Sequence, residues 1–264
     1  MKKNLLASGS FSVSFAVSFV LCAVLAAALS ATVARAAEAG YPLERARIDP
    51  TDIVSLQAGA RTFANYCLNC HGAQFMRYNR LTEIGLTEAQ IKDNLMPAGD
   101  KVGETMRVAL QGKDAKVWFG VAPPDLSVIA RSRSADWLYT YLRTFYRDPK
   151  SATGWNNAVF PNVAMPHALW SLQGERRLEL VQSKAEGKAE AHAAPEYKWM
   201  QVSDGTQGTV EYNRTARDLV NFLVYVAEPD AQLRKRIGIV VLFVLGVLFI
   251  LAYGLKHAYW RDVK

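Results

Sequence analysis

The segment FANYCLNCHGAQFMRYNR, residues 63–80, sets two thiols, Cys67 and Cys70, two residues apart and places the imidazole of His71 directly behind the second. Three chemistries use such a group. A thioredoxin-like redox pair needs only the thiols. A zinc site needs four protein ligands. The remaining histidines, His167, His192 and His257, are scattered, and the third cysteine, Cys22, lies in an N-terminal apolar stretch, so no second half of a zinc site is evident. A covalent c-type haem needs two thiols spaced to meet the two porphyrin vinyl groups. It also needs a histidine fixed beside them whose imidazole reaches the iron from the same side. Cys-x-x-Cys-His in an exported segment points to that third chemistry.

Haem iron that carries electrons without binding oxygen needs a second axial ligand, and a thioether opposite histidine raises the potential relative to a second histidine. The candidates are Met76, Met96, Met106, Met165 and Met200. Met76 is too close to His71 in the chain to cross the ring, and methionine commonly fills core gaps. Met96-Pro97 and Met165-Pro166 form the better pair, since an adjacent proline stiffens the ligand loop. His167 is an alternative ligand, or an ordinary core or surface histidine.

The elements that must position these groups are helical. Ile53, Leu56, Ala60 and Phe63 recur at helical spacing after Pro50 and Thr51, so an amphipathic helix runs into the Cys67 turn. Thr87–Met96, capped by Thr87 with Gln90, and Ser134–Arg147, capped by Ser134, read as two further helices. The stripe Trp137, Tyr141, Phe145 reads more readily as core than as cofactor wall. Near the far end, Thr215 and Asp218 resemble a capping pair before Leu219, Phe222, Leu223 and Val226 on one face, and Glu228-Pro229 stops that helix. The expected fold is mostly α, a haem domain of the cytochrome c type with a single C-terminal transmembrane helix.

Both chain ends speak to location. Lys2 and Lys3 precede an apolar run from Phe11 to Leu29, and Ala34-Arg35-Ala36 supplies the small residues of a cleavage site, so residues 1–36 read as a secretory signal. An uncleaved anchor helix is the alternative. Residues 37–233 form the exported domain. Ile237–Leu255 carries no charge and spans about 28 Å as a helix, near the thickness of a hydrocarbon core. Arg234, Lys235 and Arg236 on one side balance Lys256, Arg261 and Lys264 on the other, so orientation rests on the signal. The expectation is a single-pass inner-membrane protein with its haem domain in the periplasm and residues 256–264 in the cytoplasm. The net charge of +7 does not imply a nucleic-acid surface, because residues 37–233 hold 22 Lys and Arg against 23 Asp and Glu.

Four motifs in order carry a family resemblance: CLNCHGAQFMRYNRL, APPDLSVIARSR, FPNVAMPHALW and AEPDAQLRKRIG before the C-terminal helix. Over residues 41–264 the chain resembles the cytochrome c1 family, the haem-bearing subunits of ubiquinol:cytochrome c reductase. The resemblance implies one haem c held by Cys67 and Cys70, iron ligated by His71 and Met165, and a haem propionate paired with Arg133, with Arg131 as substitute. It further implies an electron carrier, not itself an enzyme, that takes an electron from a Rieske iron-sulfur protein. The electron passes to a soluble cytochrome c, and the carrier is anchored beside cytochrome b. Two other classes remain: a membrane-tethered cytochrome c donating to a terminal oxidase, and a haem-based sensor or delivery protein with an open sixth position. Residues 171–213 depart from the family pattern and read as a solvated polar insert.

Overall fold

A computed structural model describes residues 41–97, 99–108, 110–181 and 196–262; the signal-like segment and residues 263–264 lie outside them. The described chain is mostly helical. Helix α1 (Ile53–Thr62) is capped by Asp52, whose carboxylate accepts from the Ser55 amide at 3.1 Å. It widens into a π turn over Phe63–Cys67, closed by the Leu68 amide donating to the Phe63 carbonyl at 3.0 Å, and that turn delivers Cys67. Strand β1 (Ala73–Arg77) follows, then a 3-10 segment, Tyr78–Ile84. Helix α2 (Glu88–Leu95) is closed by the Thr87/Gln90 capping box that its sequence predicts. Short strand β2 (Thr105–Met106) pairs antiparallel with β1, and α3 (Gly112–Phe119) and α4 (Ile129–Arg133) lead into α5 (Ala135–Arg143).

Strands β3 (Phe145–Arg147) and β4 (Trp155–Asn157) form a hairpin, Phe145 opposite Asn157 and Arg147 opposite Trp155. The helix predicted through Arg147 therefore stops at Arg143, where pairing with β4 takes over the backbone. A turn of helix, α6 (Trp170–Gln173), opens the region read as a polar insert. Its flanks are not a loop: β5 (Gly174–Val181) and β6 (Glu196–Asp204) pair antiparallel, with Leu178 opposite Trp199 and Glu179 opposite Lys198. The Lys/Ala/Glu portion, residues 182–195, lies outside the described residues.

Helix α7 (Thr209–Ala227) starts six residues before the predicted cap, with Gly208 at its N-cap. Thr215 and Asp218 lie inside the helix instead. Thr215 donates to the Gln207 side chain at 3.1 Å, and Asp218 accepts from Ser55 Oγ at 2.7 Å. The predicted apolar face holds, with Leu219, Phe222, Leu223 and Val226 all buried. It packs across α1 and the π turn, where Leu56, Ala60 and Phe63 are buried while Ile53 is exposed. At the crossing a Cβ on Gly59 would collide with the Asp218 carbonyl oxygen and stand 2.6 Å from Phe222 Cβ. Buried Asn221 ties the crossing by donating to the Asp49 carbonyl at 2.7 Å.

Only Glu228, Pro229 and Asp230 separate α7 from α8 (Ala231–Trp260), 30 residues with none buried. A helix apolar on every side suits lipid rather than a protein core, and this one is long and apolar enough to cross a membrane. Its base is fastened to the domain. Arg80 pairs with Asp230 through two hydrogen bonds and with Glu83, and Tyr225 Oη donates to the Arg80 carbonyl at 3.0 Å.

Gly59→Ala should cost about 1 to 3 kcal/mol, the range for overpacking a close crossing, read as a lower denaturant midpoint of the haem-loaded protein. Gly103→Ala, where an added Cβ meets nothing within 4 Å, should leave the midpoint unchanged.

Candidate functional site

The cysteine turn is built from its backbone. Cys67 ends the π turn, and its carbonyl accepts from the amides of Cys70 at 3.0 Å and His71 at 2.8 Å, which folds the two thiols and the imidazole over one short loop. Leu68 between them is buried and anchors that loop. The thiols are free rather than bridged. Burial pushes the Cys67 thiol up to about 12, with Cys70 adding to the shift.

His71 Nδ1 donates to the Pro124 carbonyl at 2.8 Å. A carbonyl only accepts, so the proton is on Nδ1 and Nε2 keeps a free lone pair. Burial lowers the imidazole's affinity for protons, against the raising effects of the Pro124 carbonyl and Asp125. A neutral imidazole with an oriented second nitrogen is the form that ligates a metal. The Pro124 carbonyl is itself held in place. Asp125 Oδ2 accepts from the Gln74 amide at 2.9 Å, Ser127 Oγ accepts from the Phe75 amide at 3.0 Å, and the Leu126 amide donates to the Gly72 carbonyl at 2.8 Å. The PPDLS run thus clasps β1 and aims the histidine. Sequence reading used that run only as a family mark.

The sulfur half of the site lies on the loop after β4. Met165 packs against the buried cluster Phe145, Trp155 and Val163, and its Sδ accepts from the Tyr141 hydroxyl at 3.3 Å. The loop is pinned by two asparagines. Asn157 Oδ1 accepts from the amides of Val159 and Phe160, and Asn156 Oδ1 accepts from that of Asn162, which sits at φ 60°. Met76, Met96 and Met106 are buried in the main core, while Met200 faces Arg177 in the β5–β6 hairpin. His167 is a core histidine: it stacks on Phe145 at 4.9 Å, and its Nε2 donates to Gln173 Oε1 at 2.8 Å. Burial, with Arg176 and Arg147 nearby, pushes it down to about 3. The stripe expected to be plain core therefore borders Met165, through the Tyr141 hydroxyl.

Arg133 is exposed, its guanidinium 5.1 Å from the Trp137 ring centre and 5.8 Å from that of Phe160. Arg131 is exposed as well. Neither forms an ion pair among the described residues. Trp137 stacks on Tyr141 at 4.8 Å, so Arg133, Trp137, Tyr141 and Met165 form one connected wall. Cys67, Trp137 and Tyr141 all border the same main core, which seats the thiol half and the sulfur half on one support.

A family model described as the Cytochrome C1 family matches residues 45–263. The chain belongs to the cytochrome c1 family. It is 48% identical over 236 residues to the ammonia monooxygenase gamma subunit of Nitrosomonas europaea, covering 88% of this chain and 93% of that protein. It is 45% identical to cytochrome c1 of Allochromatium vinosum over 88% of this chain and 94% of that protein. Identity to cytochrome c1 of Rhodospirillum rubrum is 30%, over 81% and 83%. The first relative's name differs from the other two, and the family match over nearly the whole described chain decides the family. Cytochromes c1 are haem proteins, and the donors present fit that group: a neutral imidazole with Nε2 free, a half-buried thioether, and two unbridged thiols on one turn.

If the thiols carry the haem, acid acetone should leave the haem on the wild-type chain. Cys67→Ala or Cys70→Ala should reduce attachment to one thioether or none, with little stable haem protein. Free extraction of haem from the wild-type chain would count against covalent attachment.

Proposed function

We propose that this member of the cytochrome c1 family is the electron-carrying subunit of a quinol:cytochrome c reductase. In this reading it receives one electron from a Rieske iron-sulfur protein and passes it to a soluble cytochrome c, beside cytochrome b. The observation that carries the reading is the Cys67-Cys70-His71 turn with His71 locked to Pro124, in a chain matched along its length by the family. When bound, haem c supplies a one-electron iron couple. The chain's residues do the rest. Cys67 and Cys70 fix the group covalently, so it cannot dissociate. His71 Nε2 and Met165 Sδ would hold the iron, and with both donors bound small ligands would be kept off it. Arg133, a charged donor without an acidic partner among the described residues, neutralises a propionate.

In this reading the domain lies in the periplasm, α8 crosses the inner membrane and the last residues lie in the cytoplasm; the signal-like N-terminal sequence and the long apolar α8 support it. Capture through a C-terminal tag from detergent-solubilised membranes should bring down a b-type cytochrome and an iron-sulfur protein, identified by spectra and mass. Capture of a terminal oxidase in their place favours the tethered-cytochrome alternative.

Met165→Leu keeps the apolar volume and removes the sulfur. The ferric charge-transfer absorption in the red should vanish, the potential should fall substantially, and the reduced protein should bind carbon monoxide, with haem attachment intact. Loss of the same features in Met96→Leu, and not in Met165→Leu, moves the ligand to the other loop.

A further inference from the structure

The Tyr141 hydroxyl donates to Met165 Sδ at 3.3 Å and has no other hydrogen-bond partner among the described residues. The phenol is aimed rather than free. Its ring is stacked on Trp137 at 4.8 Å and 11° and lies edge-on to Phe145 at 5.0 Å. Its backbone carbonyl accepts from Asn157 Nδ2 at 2.8 Å, and that same buried asparagine pins the Met165 loop through its Oδ1. One residue therefore holds both the donor's helix and the acceptor's loop.

A thioether sulfur has two lone pairs. If one is directed at iron, the other is free to accept a hydrogen bond. We propose that Tyr141 is a positioning residue for the axial sulfur, and that its hydroxyl raises the reduction potential by drawing electron density from Met165 Sδ. The inference rests on the reading of Met165 as an iron ligand. Ferric iron depends more on donation from sulfur than ferrous iron does, so weakening that donation favours the ferrous state. The couple is a one-electron change, iron(III) to iron(II), and the proton stays on the phenol oxygen. Simple packing accounts for the ring of Tyr141 but not for the hydroxyl, whose one hydrogen-bond partner among the described residues is Met165 Sδ.

The test is a redox titration of the haem in the detergent-solubilised full-length chain, together with the ferric red absorption. Tyr141→Phe should lower the potential and shift the red band without abolishing it, with covalent haem retained. Tyr139→Phe, which removes a hydroxyl elsewhere on α5, should change neither. An unchanged or higher potential in Tyr141→Phe, with the band abolished only by Met165→Leu, overturns the tuning and leaves the ligand assignment standing. A band that survives Met165→Leu overturns the assignment and the tuning with it. Should Tyr141→Phe accumulate no haem protein, proton NMR of the reduced wild-type chain decides. A through-space contact between the Tyr141 hydroxyl proton and the Met165 ε-methyl supports the proposal, and its absence overturns it.

Discussion

The hydrogen bond from His71 Nδ1 to the Pro124 carbonyl joins two segments 53 residues apart, and the order of the site depends on it. Without it the imidazole has no fixed tautomer, and the PPDLS run would clasp β1 but leave the histidine unaimed. With it, the turn, strand β1 and the PPDLS run form one closed unit. In that unit Asp125 spends both carboxylate oxygens on backbone amides, those of Gln74 and Ser127. Both bonds run to a charged acceptor, the stronger class of hydrogen bond. The Pro124 carbonyl stays in position because the residues after it are clasped, and the clasp holds because Gly72 lets the chains approach. A Cβ there would stand 3.2 Å from both Asp125 Oδ2 and the Met106 carbonyl.

Much of this was legible in the sequence because the signals are local. Cys67, Cys70 and His71 announce themselves by spacing, Thr87 and Gln90 by capping chemistry, and the buried face of α7 by its period. What stayed hidden depends on distant partners. The β5–β6 hairpin shows poor alternation because adjacent arginines and a register irregularity at Glu175/Arg176 interrupt it. Arg176 is half-buried there, its guanidinium 4.5 Å from the Trp199 ring centre, so a charge that reads as solvated covers an aromatic face instead. Thr215 and Asp218 matched a capping pattern, yet the helix had begun at Thr209, where no side chain caps it. A capping pattern says nothing about whether the preceding residues are already helical. The role of Tyr141 was invisible for a related reason, since a stripe at helical spacing shows which face is covered but not by what.

The interior around the site is kept neutral. Burial disfavours charge on the Cys67 thiol, the His71 and His167 imidazoles and the Tyr141 phenol, and each has a shift in the direction that leaves it uncharged. Within it two polar groups, the Pro124 carbonyl and the Tyr141 hydroxyl, hydrogen-bond the His71 imidazole and the Met165 sulfur.

The short connection between α7 and α8 has a mechanical meaning. Three residues, one of them Pro229, leave almost no slack, and the paired guanidinium of Arg80 braces the base of the anchor against the domain. A domain mounted this way behaves less like a buoy on a tether than like a lamp on a post: its height above the lipid and its facing direction are set together. Traffic between it and other molecules then falls to their travel, since a three-residue connection gives the domain no reach along the membrane.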